Sequence, residues 1–312
     1  MDHESTKALY EFYPPADKND FFTAYLYLRY PEHFIYHANL ASGLPAEEPA
    51  GKVDETITQM MKAYIQQFAE TAPSAATSIL HGKVLKMKDA LKIVTQKEGL
   101  ALPVSERVVP FKIARDVILE NPDAIAVGTC ACRAVQKTPC LPPPHEVCLI
   151  LGNPFASFIA DQNPKFHKGS QEEAVRIIED AHKRGEVQCA YFKKDTGNRL
   201  IEICNCCACC CMGMRVWNLF GGAIPILASS GYVSQVSDDC DGCGICAERT
   251  CPFNAISLDE RRKKAVINLA KCMGCGVCED SCPIRAISLR REPSKGEPLD
   301  IEALISQTRQ GA

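Results

Sequence analysis

The chain has 312 residues, a net charge of −3, 46% hydrophobic residues, 23% charged residues and nineteen cysteines. This length predicts two or three domains, and a chain of this size can bury a core without the help of disulfides. Because binding to nucleic acid requires a concentrated basic surface, the slightly acidic balance argues against nucleic acid as a partner.

The amino-terminal residues lack a basic stretch followed by an apolar one, so no signal peptide is predicted. The longest apolar candidate, residues 219–233, is short and interrupted by glycine, proline and serine, so no membrane span is predicted. We therefore expect a cytoplasmic protein, because a reducing compartment leaves cysteine thiolates free to bind metal.

Residues 1–120 contain no cysteine and are predicted to form a mostly helical domain. Apolar residues recur at helical spacing over residues 54–70 and again over residues 84–94. Another helix is predicted after Ser105, with Pro110 in its first turn. Its apolar residues are Phe111, Ile113, Ala114, Val117 and Ile118. We interpret these apolar faces as parts of the core.

Residues 121–231 are predicted to form a small α/β, cysteine-rich domain, and residues 212–239 are predicted to form a connector rich in glycine and serine. The predicted strands are residues 124–127, 146–151, 187–192 and 200–204. A helix is predicted between the second and third strands, because Ser170 and Glu173 form a capping box and Gly185 suits its end. Two of the strands lead directly into cysteine groups that begin at Cys130 and Cys204.

Residues 232–291 contain a duplicated cysteine pattern, which begins at Cys240 and again at Cys272. Each copy has three cysteines at two-residue gaps, followed by a fourth cysteine and a proline. Three thiolates in a tight loop can surround one face of an iron–sulfur cubane, and glycines let the backbone approach it. Structural zinc is the alternative, but zinc sites normally use two cysteine pairs. The first copy has one extra residue before its fourth cysteine, which predicts a local bulge.

This segment resembles a bacterial two-[4Fe–4S] ferredoxin domain over about fifty residues. The resemblance implies a ferredoxin-like ββαββα-type repeat in which the fourth cysteine of each run ligates the other cluster. The implied ligands are Cys240, Cys243, Cys246 and Cys282 for one cluster, and Cys272, Cys275, Cys278 and Cys251 for the other. Residues 292–312 are predicted to form a polar tail that includes a short helix near Leu299. The fold class predicted for the whole chain is α+β.

Eleven cysteines lie outside this repeat, and they leave three interpretations open. They could form a third iron–sulfur centre, a zinc or reactive dithiol centre, or free thiols, with Cys148 and Cys189 as small buried hydrophobic residues. The candidate ligands of a third centre are Cys130, Cys132, Cys140, Cys148, Cys204, Cys206, Cys207, Cys209, Cys210 and Cys211. Arg133 could compensate the charge of such a centre or bind an anionic substrate, or it could be an ordinary surface or salt-bridged arginine.

The motifs C-x-C-R and CNCCACCC, followed by the cysteine repeat, are similar to a group of 4Fe–4S binding proteins of anaerobic bacteria and archaea. The similarity spans about residues 105–290 and implies oxygen-sensitive redox metabolism. Glycine-rich phosphate-binding motifs are absent, so no flavin or nucleotide site is predicted.

The predicted function is electron transfer between redox partner proteins, as a separate carrier or as an oxidoreductase subunit. One alternative is a self-contained oxidoreductase whose open metal or thiol centre is built from residues 204–211. Another alternative is a redox sensor that responds through its cluster. Electron transfer is favoured over a stand-alone enzyme because no pattern in the chain is typical of a site for an organic substrate.

Overall fold

The computed structural model describes residues 3–70, 80–111, 116–224 and 226–310, which combine helices and strands. The α-helices in these ranges are α1 (Glu4–Phe12), α2 (Lys18–Arg29), α3 (Pro31–Ala41), α4 (Glu55–Glu70), α5 (Met87–Val94), α6 (Ala131–Ala134), α7 (Phe155–Gln162), α8 (Gln171–Lys183), α9 (Met212–Leu219), α10 (Val277–Asp280) and α11 (Ile301–Gln310). Short 3₁₀ turns lie at Pro15–Asp17, Lys194–Thr196 and Pro293–Lys295, and a π-helix lies at Cys246–Thr250.

The strands in the same ranges are β1 (Leu80–Val84), β2 (Leu100–Leu102), β3 (Val117–Leu119), β4 (Ile125–Thr129), β5 (Glu146–Leu151), β6 (Phe166–Gly169), β7 (Val187–Lys193), β8 (Arg199–Cys206), β9 (Leu227–Ala228), β10 (Tyr232–Val236), β11 (Ile256–Asp259), β12 (Lys264–Ile267) and β13 (Ile287–Arg291). Seven of these described strands form one sheet in the order β6-β4-β5-β8-β7-β1-β9. Strands β4 and β8 both run antiparallel to β5, so they point in the same direction. The carboxyl ends of β4 and β8, with the cysteine groups at these ends, therefore lie at the same end of the sheet.

The two faces of the sheet are covered by different helices. In β5, Cys148 and Ile150 face helices α1 to α4 and α7, whereas Leu149 and Leu151 face α8. This alternation follows from the two-residue period of a strand. The domain boundary at residue 120 stays a prediction; helices before it pack against strands after it, and β1 pairs with β7.

Several local predictions are confirmed. The four strands predicted in residues 121–231 appear as β4, β5, β7 and β8. Helix α8 begins after Ser170, whose side chain accepts a hydrogen bond from the Glu173 N–H at 3.2 Å. Helix α4 begins after Asp54, whose carboxylate accepts a hydrogen bond from the Thr56 N–H at 2.8 Å. These signals depend on a few neighbouring residues, so the sequence alone suffices for them.

Other local predictions are wrong. The helix predicted after Ser105 is replaced at Val117–Leu119 by strand β3, which pairs with β2, because these apolar and mostly β-branched residues suit a strand. Ile113 and Ala114 of that prediction lie outside the described residues. Val84 ends β1, so the helix predicted from it begins only at Met87. The predicted connector, residues 212–239, contains α9, β9 and β10.

The carboxyl-terminal region has strand and helix order β10, π-helix, β11, β12, α10, β13, instead of the predicted ββαββα order. The difference arises because β10 precedes the first cysteine run and pairs with β13, which follows the second. The predicted bulge is confirmed. The first run makes a π-helical turn in which the Cys251 N–H donates to the Cys246 carbonyl at 3.1 Å, while the second run forms the ordinary helix α10.

Candidate metal centres

A cavity of about 60 Å³ lies at the end of the sheet where the carboxyl ends of β4 and β8 meet. Helices α2 and α3 cover it with Tyr27 and Ile35. We call it the cysteine cavity, because it is lined by Cys130, Cys132, Cys148, Cys204, Cys206, Cys207, Cys210 and Cys211. The structure thus unites the two cysteine groups that the sequence keeps far apart.

One wall of the cysteine cavity comes from β5 and β8. Cys148 and Cys204 are cross-strand partners, and their sulfur atoms lie within 4.8 Å of each other and of a Glu202 carboxylate oxygen. Burial raises the pKa of Glu202, whose carboxylate accepts a hydrogen bond from the Tyr27 hydroxyl at 3.0 Å. Hydrogen bonding with the Cys148 and Cys206 thiols raises the pKa of Cys204 well above its usual value.

The opposite wall comes from the turn after β4 and from the start of α9. Hydrogen bonding with the thiols of Cys130 and Cys211 raises the pKa of Cys132. Cys211 also lies 3.4 Å from the Tyr191 hydroxyl, measured from Sγ to oxygen. The sulfur atoms around the cavity therefore form a connected network, which is what a multi-thiolate metal site requires.

Arg133 also lines the cysteine cavity, and its side chain is 1% exposed. One guanidinium nitrogen, Nη2, donates to the Glu186 carboxylate and, at 3.2 Å, to the Asn205 carbonyl. Burial alone would lower the pKa of Arg133, but the nearby groups, first the Cys130 thiol and then Glu186, raise it. Of the predicted alternatives for Arg133, the salt-bridged arginine is confirmed by the pair with Glu186, whereas a position at the surface is wrong, because both partners are buried.

Two nitrogens of Arg133, Nε and Nη1, are buried and have no hydrogen-bond partner among the described residues. An unsatisfied buried donor costs about 1–3 kcal/mol, so native proteins rarely keep one without a reason. A negatively charged group in the cavity would satisfy these donors. This is the observation that best fits a cluster of iron, sulfide and thiolates at this site.

The solvent-facing end of the site contains Cys140 and Cys209, which are joined in a disulfide. Their sulfur atoms lie within 4.8 Å of those of the buried Cys207 and Cys210. Hydrogen bonding with the Cys210 thiol, together with the positive charge of Arg133, lowers the pKa of Cys207 to about 6. In this state Cys140 and Cys209 are not free thiolates, whereas Cys207 ionises readily at neutral pH.

The carboxyl-terminal repeat brings a second set of thiols together. Cys251, from the first run, lines one small cavity with Cys272, Cys275 and Cys278 of the second run. Burial raises the pKa of Cys275, and the three neighbouring thiols raise it further. The Ser234 N–H points to the Cys272 sulfur at 3.4 Å.

The remaining thiols of the repeat form a matching group. Burial raises the pKa of Cys246, and the thiols of Cys240, Cys243 and Cys282 act in the same direction. The fourth cysteine of each run also accepts an N–H hydrogen bond from an alanine four residues later. These contacts are Ala255 to Cys251 at 3.3 Å and Ala286 to Cys282 at 3.2 Å.

The loops around these thiols require glycine at two equivalent positions. Gly274 has φ +66°, and a Cβ atom there would overlap the Tyr232 carbonyl. Gly242 has φ +74°, and a Cβ atom there would lie 2.5 Å from the Lys263 carbonyl oxygen. Only glycine tolerates both the left-handed backbone and the close approach.

Residues 239–286 match the family described as 4Fe-4S dicluster domain. The chain therefore ends in a ferredoxin-type dicluster domain. This family match supports two [4Fe–4S] clusters, as the cysteine repeat predicted.

The chain is also similar to parts of known oxidoreductase proteins. It is 33% identical over 87 residues to F(420)H(2) dehydrogenase subunit I of Methanosarcina mazei, covering 27% of this chain and 45% of that protein. It is 38% identical over 84 residues to dihydromethanopterin reductase (acceptor) of the same organism, covering 25% and 32%. It is 37% identical over 54 residues to pyruvate synthase subunit PorD of Methanothermobacter marburgensis, covering 17% and 56%.

The chain thus spans about half, or less, of the length of these relatives. No solved structure matches it significantly. Within the described ranges, no helix combines the length and the apolar character needed to cross a bilayer.

Sequence reasoning missed several residues of the cysteine cavity. Tyr27 and Ile35 come from helices that the sequence does not connect to the cysteines, and Glu202 lies in a strand chosen for its apolar character. One signal for Glu202 was available in the sequence, because an acidic residue inside an apolar strand, two residues before Cys204, is seldom buried unless it has a partner. Cys189, by contrast, is buried in β7 and is not among the residues that line the cavity.

Proposed function

We propose that this chain transfers electrons between redox partners, through two [4Fe–4S] clusters in the dicluster domain and a third iron–sulfur centre in the cysteine cavity. The observation that carries the third centre is a cavity with eight cysteines and a buried arginine that keeps two unsatisfied donors. Relatives that are named as oxidoreductase subunits, such as pyruvate synthase subunit PorD, support electron transfer to or from an oxidoreductase partner.

In the dicluster domain we assign one cluster to Cys240, Cys243, Cys246 and Cys282, and the other to Cys272, Cys275, Cys278 and Cys251. A bound cluster supplies a centre that accepts and releases one electron. The protein contributes N–H donors to the sulfur atoms, at Ser234, Ala255 and Ala286. Such hydrogen bonds stabilise the added negative charge of the reduced state, and so they raise the reduction potential.

In the cysteine cavity, the surplus of thiols favours an iron–sulfur centre over zinc. Structural zinc is satisfied by four ligands, whereas eight cysteines line this cavity. Arg133 would donate hydrogen bonds to the centre and offset its charge. Tyr27 and Ile35 would exclude water from it.

The cysteine cavity and the dicluster domain share a packed core, which supports exchange of electrons between them. Cys206 and Cys211 of the cavity belong to the same packed core as Cys272 and Cys275. The buried Cys189 thiol lies near both sets: hydrogen bonding with the Cys206 thiol lowers its pKa, whereas burial and then the charges of Cys211 and Cys275 raise it. This contiguity supports a single electron path through the chain.

A redox-sensing role is the second candidate, and the exposed Cys140–Cys209 disulfide favours it. The ionisable Cys207 thiol lies next to this disulfide. Thiolates attack disulfides directly, so oxidation and reduction at this end could change the ligands that the cavity offers.

The proposal is tested by measuring iron and acid-labile sulfide in the anaerobically purified full chain. We expect more than about eight iron atoms, the number that two four-iron clusters require. A variant with Cys204→Ser, Cys206→Ser and Cys211→Ser should fall to about eight, while the control Cys189→Ser keeps the wild-type content.

Circular dichroism of each variant would establish that it remains folded. A wild-type content of about eight iron atoms, unchanged in the triple variant, would refute the third centre and leave the dicluster function standing. A colourless protein that contains zinc would refute both parts.

A further inference from the structure

A second, larger cavity lies beside the dicluster domain. This cleft has a volume of about 560 Å³, within the range of about 300–1,000 Å³ that is usual for small-molecule sites. It lies between the sheet edge formed by β1 and β9, helix α9 and the turn Pro293–Lys295. Its lining includes Lys83, Arg107, Trp217, Met273 and Lys295.

The cleft and the thiol group of Cys251, Cys272, Cys275 and Cys278 share a wall. Met273 lines both the cleft and the cavity between these four thiols. Ser229, another cleft residue, donates to the Met273 carbonyl at 3.2 Å. A molecule bound in the cleft would therefore be separated from this proposed cluster by a single residue.

The cleft is rich in positive charge that is not fully neutralised. The Lys83 ammonium, in a side chain that is almost completely buried, donates to the backbone carbonyl of Glu297 at 2.7 Å, and the Lys295 ammonium donates to the Ala270 carbonyl at 2.8 Å. Carbonyl groups are neutral, so these two hydrogen bonds supply no countercharge to either lysine.

The environment of Lys83 adds a second argument. Burial, and then the positive charge of Arg291, lowers the pKa of Lys83 to about 7, although the Glu297 carboxylate acts in the opposite direction. An anion bound in the cleft would stabilise the charged form of Lys83 further. Arg107 adds a third cation at the rim of the cleft; its side chain is largely exposed and pairs with the Glu297 carboxylate at 2.8 Å. Among the described residues that line the cleft, Glu106 is the one acidic residue.

We propose that this cleft binds a small anionic organic redox molecule, which exchanges electrons with the cluster assigned to Cys251, Cys272, Cys275 and Cys278. The proposal rests on the dicluster function proposed above. Lys83 and Lys295 would contact the carboxylate, sulfonate or phosphate groups of the ligand, and Trp217 would pack against its aromatic part. With a quinone-type acceptor, two reduced clusters each lose one electron, and the quinone takes up both electrons and two protons from water.

The test uses anthraquinone-2,6-disulfonate as an anionic acceptor and methyl viologen as a cationic one. Dithionite-reduced full-length protein, freed of excess reductant, is mixed with each acceptor in a stopped-flow instrument, and cluster absorption is followed. We expect the rate with the disulfonate to saturate, and Arg107→Gln/Lys295→Gln to raise its half-saturation concentration at least tenfold. The rate with methyl viologen, which is not expected to use the cleft, should change less than twofold.

A matched control removes two positive charges elsewhere in the dicluster domain. Arg261→Gln/Arg262→Gln should leave the half-saturation concentration within twofold of wild type, because both residues are exposed and do not line the cleft. An equal effect of the two double variants would show only general charge attraction and overturn the proposal. So would a rate with the disulfonate that rises linearly without saturation.

Calorimetric titration of the same disulfonate into oxidised protein separates this proposal from the dicluster function. Binding that the cleft variant weakens supports the site, whatever the electron-transfer rate. Clusters that are reoxidised normally by methyl viologen, in a protein that does not bind the disulfonate, would refute the cleft and leave the dicluster function intact. Absence of iron would refute the function itself.

Discussion

Replacing Arg133 by methionine should affect the metal-loaded protein far more than the metal-free protein. In the metal-free protein the substitution breaks the buried pair with Glu186, at a cost of about 3–5 kcal/mol. It also removes two unsatisfied buried donors that each cost about 1–3 kcal/mol. These effects oppose each other, so the free energy of unfolding should change by no more than about 3 kcal/mol.

In the metal-loaded protein, the same two donors would be satisfied by the charged centre. Hydrogen bonds to charged groups contribute about 1.5–3 kcal/mol each, so the substitution then loses these bonds as well as the pair with Glu186. We expect the free energy of unfolding to fall by more than about 5 kcal/mol, with early release of iron.

The assay is urea unfolding under anaerobic conditions, followed by circular dichroism and by iron release to a chelator. The control is Arg184→Met, because Arg184 contacts the other oxygen of the same Glu186 carboxylate at 2.7 Å but is partly exposed. It should destabilise both forms equally. If Arg133→Met also destabilises both forms equally, Arg133 serves only as the partner of Glu186, and the reasoning about the cavity fails.

Two further results are expected. Gly274→Ala should abolish binding of one cluster, because its Cβ would overlap the Tyr232 carbonyl. The control Gly276→Ala, also at positive φ but with ordinary contacts, should cost only about 1–2 kcal/mol of folding free energy. Equal iron content in the two variants would contradict this prediction. In metal-free protein, alkylation of Cys207 should increase as the pH rises through about 6, where its thiol ionises, and Arg133→Gln should move this midpoint upward, as peptide mass spectrometry can measure. An unchanged midpoint would remove Arg133 as a cause of the low pKa.

The sequence alone determined the dicluster domain and many local elements. The cysteine spacing after Cys240 and Cys272 is a short-range pattern, because three of the four cysteines assigned to each cluster come from one tight loop, and the family match supports the two clusters. The start of α8 at Ser170 likewise depends on a few adjacent residues. The extra residue before Cys251 predicted a bulge, which the π-helix confirmed.

Only the tertiary structure decided what surrounds the other cysteines. Cys130 and Cys204 lie at one site because β4 and β8 both run antiparallel to β5. The local pattern of apolar residues predicts a strand, but it does not predict which strands pair with each other. Cys148 and Cys189 are both direct cross-strand partners of Cys204, so only the packing of the whole fold decides that Cys148 lines the cavity and Cys189 does not. Burial of Arg133 depends on contacts with residues more than fifty positions away, and such long-range packing is decided by the whole fold.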